Sequence, residues 1–174
     1  GINGRRSVPL EWDKAQGMNP WRFGLAAATG LKPPERLFAN SGRQMSGWRA
    51  QLPMFDATIR AKHAPGAAAL GVLSNRDMVD LYSQVLDDSD ASDVLRARAE
   101  ALGSAYTASG GTAKVAAMSG IWSGAQAGAD YHSSLVLTAR SAALIRPAND
   151  HSGDADRLVA SMMTAGLDTS AAAW

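Results

Sequence analysis

Tyr131-His132-Ser133-Ser134-Leu135-Val136-Leu137-Thr138-Ala139-Arg140-Ser141-Ala142-Ala143-Leu144-Ile145 decides the fold class of this chain. Tyr131, Leu135, Thr138, Ala142 and Ile145 recur in steps of three and four, which puts them on one side of a helix. A strand would alternate apolar and polar residues, and no stretch of the sequence does so. Outward from this segment, Leu95, Ala99, Leu102 and Tyr106 form a second stripe of the same kind. Trp48, Leu52, Phe55 and Ile59 form a third. The pattern predicts an all-α protein in which short helices bury their apolar faces against one another.

Cap chemistry places the helix ends. Asn19-Pro20 opens a helix over 20–29, with Asn as N-cap and Pro at the first position, where its missing N–H costs nothing. Gly30 closes it in a left-handed conformation. Pro33-Pro34 starts a short helix to about residue 39, by the same preference for proline at the first turn. Ser46 caps a helix running to about residue 63, kinked where Pro53 removes a backbone bond; Pro65-Gly66 ends it. Ser74 and Asp77 have the spacing of a capping box and open the next helix. Ser92 or Asp90 caps the one after, which runs to about Thr107, as preferred N-cap residues do. Ser109-Gly110-Gly111 is a turn, and Thr112 caps a helix over 113–126. Helices over 130–145 and 154–165 follow, the first stopped by Pro147 and the second by Gly166. The total is roughly seven or eight short helices by their cap signals. Short connections imply antiparallel hairpins, arranged as a small α-solenoid or an orthogonal helical bundle. Residues 1–18 are irregular, apart from a turn or two of helix over 10–16, and 19–174 form one helical domain.

Gly30-Leu31 and Gly166-Leu167 each follow an Ala-containing helix and precede, at the same offset, Phe38 and Trp174. That echo suggests a helical repeat, although helix C-cap chemistry alone produces the same pairs. Gly1 in place of Met, and an end at Trp174 that reads as the first turn of a helix, suggest a portion of a longer protein.

The totals narrow the function classes. A chain of 174 residues fits one domain, and alanine, about a fifth of it, favours closely packed helices. The balance of 17 Lys and Arg against 16 Asp and Glu gives a net charge of +1. No basic patch of the kind that neutralises phosphates is present, so nucleic acid is not an expected partner. With no cysteine there is no disulfide, thiolate metal site or cysteine nucleophile. That composition fits the cytoplasm and the periplasm equally.

Catalytic patterns are weak. His63, His132 and His151 have no ligand spacing, and His63 falls at a helix end, where its charge would be favourable. The acidic run 150–156 has its glycine, Gly153, misplaced for a calcium loop and no terminal Glu, the run 87–93 lacks the glycine, and both precede helices, whose N–H groups they are suited to cap. No metal or cofactor is expected. Ser109 to Lys114 lacks the first glycine of a phosphate loop and follows no strand. Of three glutamates, Glu35 and Glu100 are candidates for the acid of a small hydrolase or cell-wall lyase, with a histidine assisting.

The most unusual local feature is Gly120-x3-Gly124-x3-Gly128. On a helix these glycines share a side and admit another backbone closely; the competing reading is a helix that breaks near Gly124. The uncharged stretch 115–129 is shorter than the ~20 residues of a membrane span. The preferred expectation is a non-catalytic helical protein–protein interaction module within a larger bacterial assembly, binding another protein or itself. Trp21, Trp48 and Trp122 are its candidate anchors, with Gly120, Gly124 and Gly128 as a packing row. The alternatives are the hydrolase or lyase, and a structural component of an envelope or secretion machine that packs a partner helix on the glycine row.

Overall fold

The computed structural model describes residues 12–174. Within them there are nine α-helices and no strand: α1 (Pro20–Thr29), α2 (Arg43–Gln51), α3 (Ala57–Ala69), α4 (Asn75–Asp87), α5 (Asp93–Thr107), α6 (Gly111–Ser123), α7 (Ala129–Ala143), α8 (Ala155–Thr164) and α9 (Asp168–Ala171). Three 3-10 turns, Trp12–Lys14, Glu35–Phe38 and Asn149–Asp154, join them. Most of the expected irregular stretch 1–18 lies outside the described residues. So do Leu10 and Glu11 of the expected turn over 10–16, of which Trp12–Lys14 is present.

The central element is α7. Nine of its fifteen residues are buried, including the unbroken run Ser133 to Ala139. A helix covered on nearly every side must satisfy its hydroxyls internally. Ser133 and Ser134 accordingly donate to carbonyls one turn back, and Ser141 Oγ donates to the Ala105 carbonyl of α5 at 2.5 Å. Helices α3, α4, α5, α6 and α8 all pack on α7. Contacts from α3 and α4 to α7 span more than forty residues of sequence, which is the pattern of a bundle around a central helix. A solenoid stacks each unit on its sequence neighbours only.

Alanine sets the closeness of the packing. Ala61, Ala64, Ala67 and Ala68 form the buried face of α3, beside Met78, Leu81 and Val85 of α4 and Val136 and Leu137 of α7. This burial explains a departure from expectation at Pro65. The helix does not end there: α3 runs through it to Ala69. Proline in a helix interior costs ~3 kcal/mol, and the apolar residues on both sides of it hold the helix together. His63 therefore lies in the body of α3, not at its end.

Around Pro53 the opposite correction applies. In place of one kinked helix over 46–63 there are two, with α2 ending at Gln51 and α3 starting at Ala57. The stripe that crosses Pro53 is nonetheless one cluster: Phe55 is buried, and Trp48, Leu52 and Ile59 pack on it together with Phe23, Phe38 and Met45. This separate aromatic core attaches α1 and the 35–38 turn to α2 and α3.

The caps are largely those expected. Asn19 Oδ1 accepts the Arg22 N–H at 2.8 Å, and Ser74 and Asp77 form the reciprocal capping box. Ser92 caps α5. Gly30, Gly71 and Gly166, all at φ near +70°, close α1, α3 and α8 with the same pair of bonds to the last turn. The Gly71-Val72 example lies outside the Gly-Leu echo, so C-cap chemistry suffices to explain the pairs. Four other caps differ. Ser46 lies inside α2, which starts at Arg43 with Gly42 as its N-cap. Thr112 does not cap α6, because Gly110 occupies that position. Asp88 caps α3, thirty residues upstream, by accepting the Thr58 N–H at 3.0 Å. Asp154 makes no cap bond and instead accepts from Ser119 of α6 at 3.2 Å.

Candidate functional site

The three candidate tryptophans fall into three environments. Trp122 is buried, and its indole N–H donates to Thr138 Oγ1 at 2.9 Å. Thr138 in turn meets Ser161 Oγ at 3.1 Å, so one buried polar chain links α6, α7 and α8. Trp48 is half-buried, with its ring 5.6 Å from that of Phe23 in the aromatic core. Trp21 is different: 70% of it is exposed.

The local sequence explains why. Helix α1 buries only Phe23 and Ala26, the side turned to the aromatic core. Trp21, Gly24, Leu25 and Ala28 are spaced at i, i+3, i+4 and i+7, which places them on one stripe of the other side. These residues and Pro20 line an open surface hollow of about 350 Å³. A large exposed ring with apolar residues beside it is the type of surface that marks contact with another macromolecule. Helix α1 is also the most peripheral of the longer helices, held at one side by Phe23 and at its entry by the Arg22 side chain, which donates to the Gly17 carbonyl at 2.8 Å.

The glycine row does not form a shared helix face. Gly120 belongs to α6, Gly124 is the residue that ends it, and Gly128 at φ +83° is the left-handed residue before α7. A side chain added at Gly120 or Gly128 would meet nothing within 4 Å, and one at Gly124 would meet only the Gly120 carbonyl at 3.2 Å. Glycine serves here to end one helix and turn into the next: the three do not share a helix side, and the helix breaks at Gly124, as the competing reading has it. The close approach occurs instead at Gly111, where an added Cβ would stand 2.7 Å from His151 Nε2.

The candidate acids are also placed. The Glu35 carboxylate pairs with Arg49, a buried residue whose guanidinium lies over the Phe38 ring at 4.2 Å and the Phe55 ring at 5.3 Å. This cation sits on aromatic faces with its counter-charge at the surface, a structural arrangement. His63 stands within electrostatic reach: burial pushes its imidazole below the usual range, Arg49 adds to that, and Glu35 opposes it. Glu100 is exposed on α5. His132 is exposed on α7, and His151 is buried against the start of α6. Among the described residues, no three His, Asp or Glu side chains gather as metal ligands would, and no helix is long and apolar enough to cross a membrane.

Two polar features escaped the sequence reading. Arg98 forms a two-pronged pair with Asp130, at 2.8 and 3.2 Å, that fastens α5 to the start of α7. Asn75 is buried and its amide donates to the Val136 and Leu137 carbonyls at 2.6 and 3.1 Å, pinning α4 to α7. Neither has a local pattern, because the partners are more than thirty residues apart. No family model, no curated protein and no solved structure matches this chain.

Proposed function

We propose that this protein is a non-catalytic helical interaction module whose contact face is the outer stripe of α1, and that the occupant of this face is a second copy of the chain. The exposure of Trp21 beside Leu25, Gly24 and Ala28 carries the reading. The stripe has large residues and gaps in alternation: Trp21 projects, Leu25 is half-buried, and Gly24 and Ala28 leave room. A two-fold antiparallel pairing sets the projections of one copy into the gaps of the other, which is the self-complementarity an isologous contact requires. Aromatic anchors of this kind dominate binding energy in small interfaces. The contact is small against the ~800 Å² per partner of a stable complex, so the association is weak and reversible, and suited to an array of many copies within a larger assembly.

The test is site-specific photo-crosslinking. A photoreactive phenylalanine analogue placed at Trp21 yields covalent dimer on illumination, and the same residue at Glu100, on α5, yields none. No dimer at position 21, or equal yields at both positions, overturns the assignment.

A further inference from the structure

A groove of about 440 Å³ lies between the start of α4, the exposed edge of α7 and the end of α8. Its volume falls in the range of small-molecule sites. Arg76, His132 and Arg140 stand on its walls, and no Asp or Glu does. His132, Val136 and Arg140 are four residues apart, so a single stripe of α7 supplies them. Leu73, Val136 and Leu167 add apolar surface, and the Ser74 and Thr164 hydroxyls flank it. Arg76 has only an exposed partner, Asp80, at 3.8 Å, a geometry worth little in water. Among the described residues, no carboxylate lies within ion-pair distance of Arg140. The walls are rigid where it matters: Asn75, which also lines the groove, is the residue that pins α4 to α7.

Two exposed guanidinium groups, one of them with only a distant surface partner, beside apolar side chains are complementary to an anionic head on a short apolar body. The guanidinium fork matches the paired oxygens of a carboxylate, as it does those of a phosphate. We infer that this groove binds a small aliphatic carboxylic acid, its chain against Val136 and Leu167 and its carboxylate held by Arg140 and Arg76. This assignment is independent of the α1 contact face, which lies on other residues.

Calorimetric titration with hexanoate, hexanol and inorganic phosphate tests it. Hexanoate binds saturably. Hexanol, with the chain and no charge, and inorganic phosphate, with charge and no chain, each bind at least about tenfold more weakly, as expected when charge-assisted bonds and apolar contact both contribute. The double variant Arg76→Gln/Arg140→Gln loses at least about tenfold in hexanoate affinity on the same scale. Both side chains are exposed, so an unchanged melting temperature verifies its fold. Absence of saturable hexanoate binding overturns the assignment, as does equal affinity for any of the three probes or an unaltered affinity in the double variant.

Discussion

Thr138→Val tests how the centre of the bundle is held. Valine matches threonine in shape, so the substitution leaves no cavity and removes only a hydroxyl. That hydroxyl is fully buried and has three roles: it accepts the Trp122 N–H at 2.9 Å, meets Ser161 Oγ at 3.1 Å and donates to the Ser134 carbonyl at 2.9 Å. The Ser161 hydroxyl can rotate toward a carbonyl one turn back in its own helix and recover much of its loss. The indole N–H has no such freedom, because its ring is fixed in the core. A buried donor left without an acceptor costs about 1–3 kcal/mol. With a smaller contribution from Ser161, the expected loss is about 2–3 kcal/mol, or roughly 4–12 °C in melting temperature for a chain of this size. Urea unfolding followed by far-ultraviolet circular dichroism measures it. Trp122→Phe removes the donor, and the double-mutant cycle with Thr138→Val should return a coupling of about 1–2 kcal/mol. A Thr138→Val protein within about 0.5 kcal/mol of wild type, the scatter of ordinary surface substitutions, would refute the view that this polar chain ties α6, α7 and α8 together.

Other outcomes follow from the same physics. Ser74→Ala breaks the capping box at α4 and should cost about 1 kcal/mol in urea unfolding. Gly111→Ala drives a methyl group against the buried His151 ring and should cost about 1–3 kcal/mol, the range for overpacking; an unchanged midpoint would mean that the ring moves aside freely. Partial burial pushes the Asp130 carboxyl up, but the bonds from Arg98 and the Gln126 N–H outweigh it and hold the group below its ordinary value. A depressed folded pKa stabilises the protein above the unfolded value of about 4, and the contribution is lost as pH falls through the folded one. Stability should therefore drop below about pH 4, and Asp130→Asn, less stable at neutral pH, should show a shallower acid limb.

Much of the fold is readable in local chemistry. The stripes of α5 and α7, the Asn19, Ser74 and Ser92 caps and the Gly30 and Gly166 stops are all set by residues within one turn of each other. The departures arise where distant partners intervene. Pro65 stays inside α3 because alanines on both sides of it pack on α4 and α7, and a window of a few residues carries no trace of that. Asp88 caps a helix thirty residues behind it, although its neighbours suggest that it serves the one ahead. The glycine row looked like one helix face, yet Gly128 takes a left-handed φ, which no helical periodicity displays. For the candidate contacts, the residue type was legible and the exposure was not. Trp21, Trp48 and Trp122 each sit in or next to apolar sequence, and only the assembled core separates the covered rings from the open one. The basic groove was invisible for the same reason, since Arg76 and Arg140 are sixty-four residues apart in sequence.

The claim that the outer stripe of α1 is a self-association surface is tested most directly by sedimentation equilibrium of the wild-type chain and Trp21→Glu over a wide range of concentration. Because Trp21 is largely exposed, the variant should fold with the same stability. The wild-type mass should rise reversibly above that of the monomer as concentration increases, and the variant should stay monomeric throughout. A wild-type protein that remains monomeric, or a Trp21→Glu protein that associates equally well, would contradict the account.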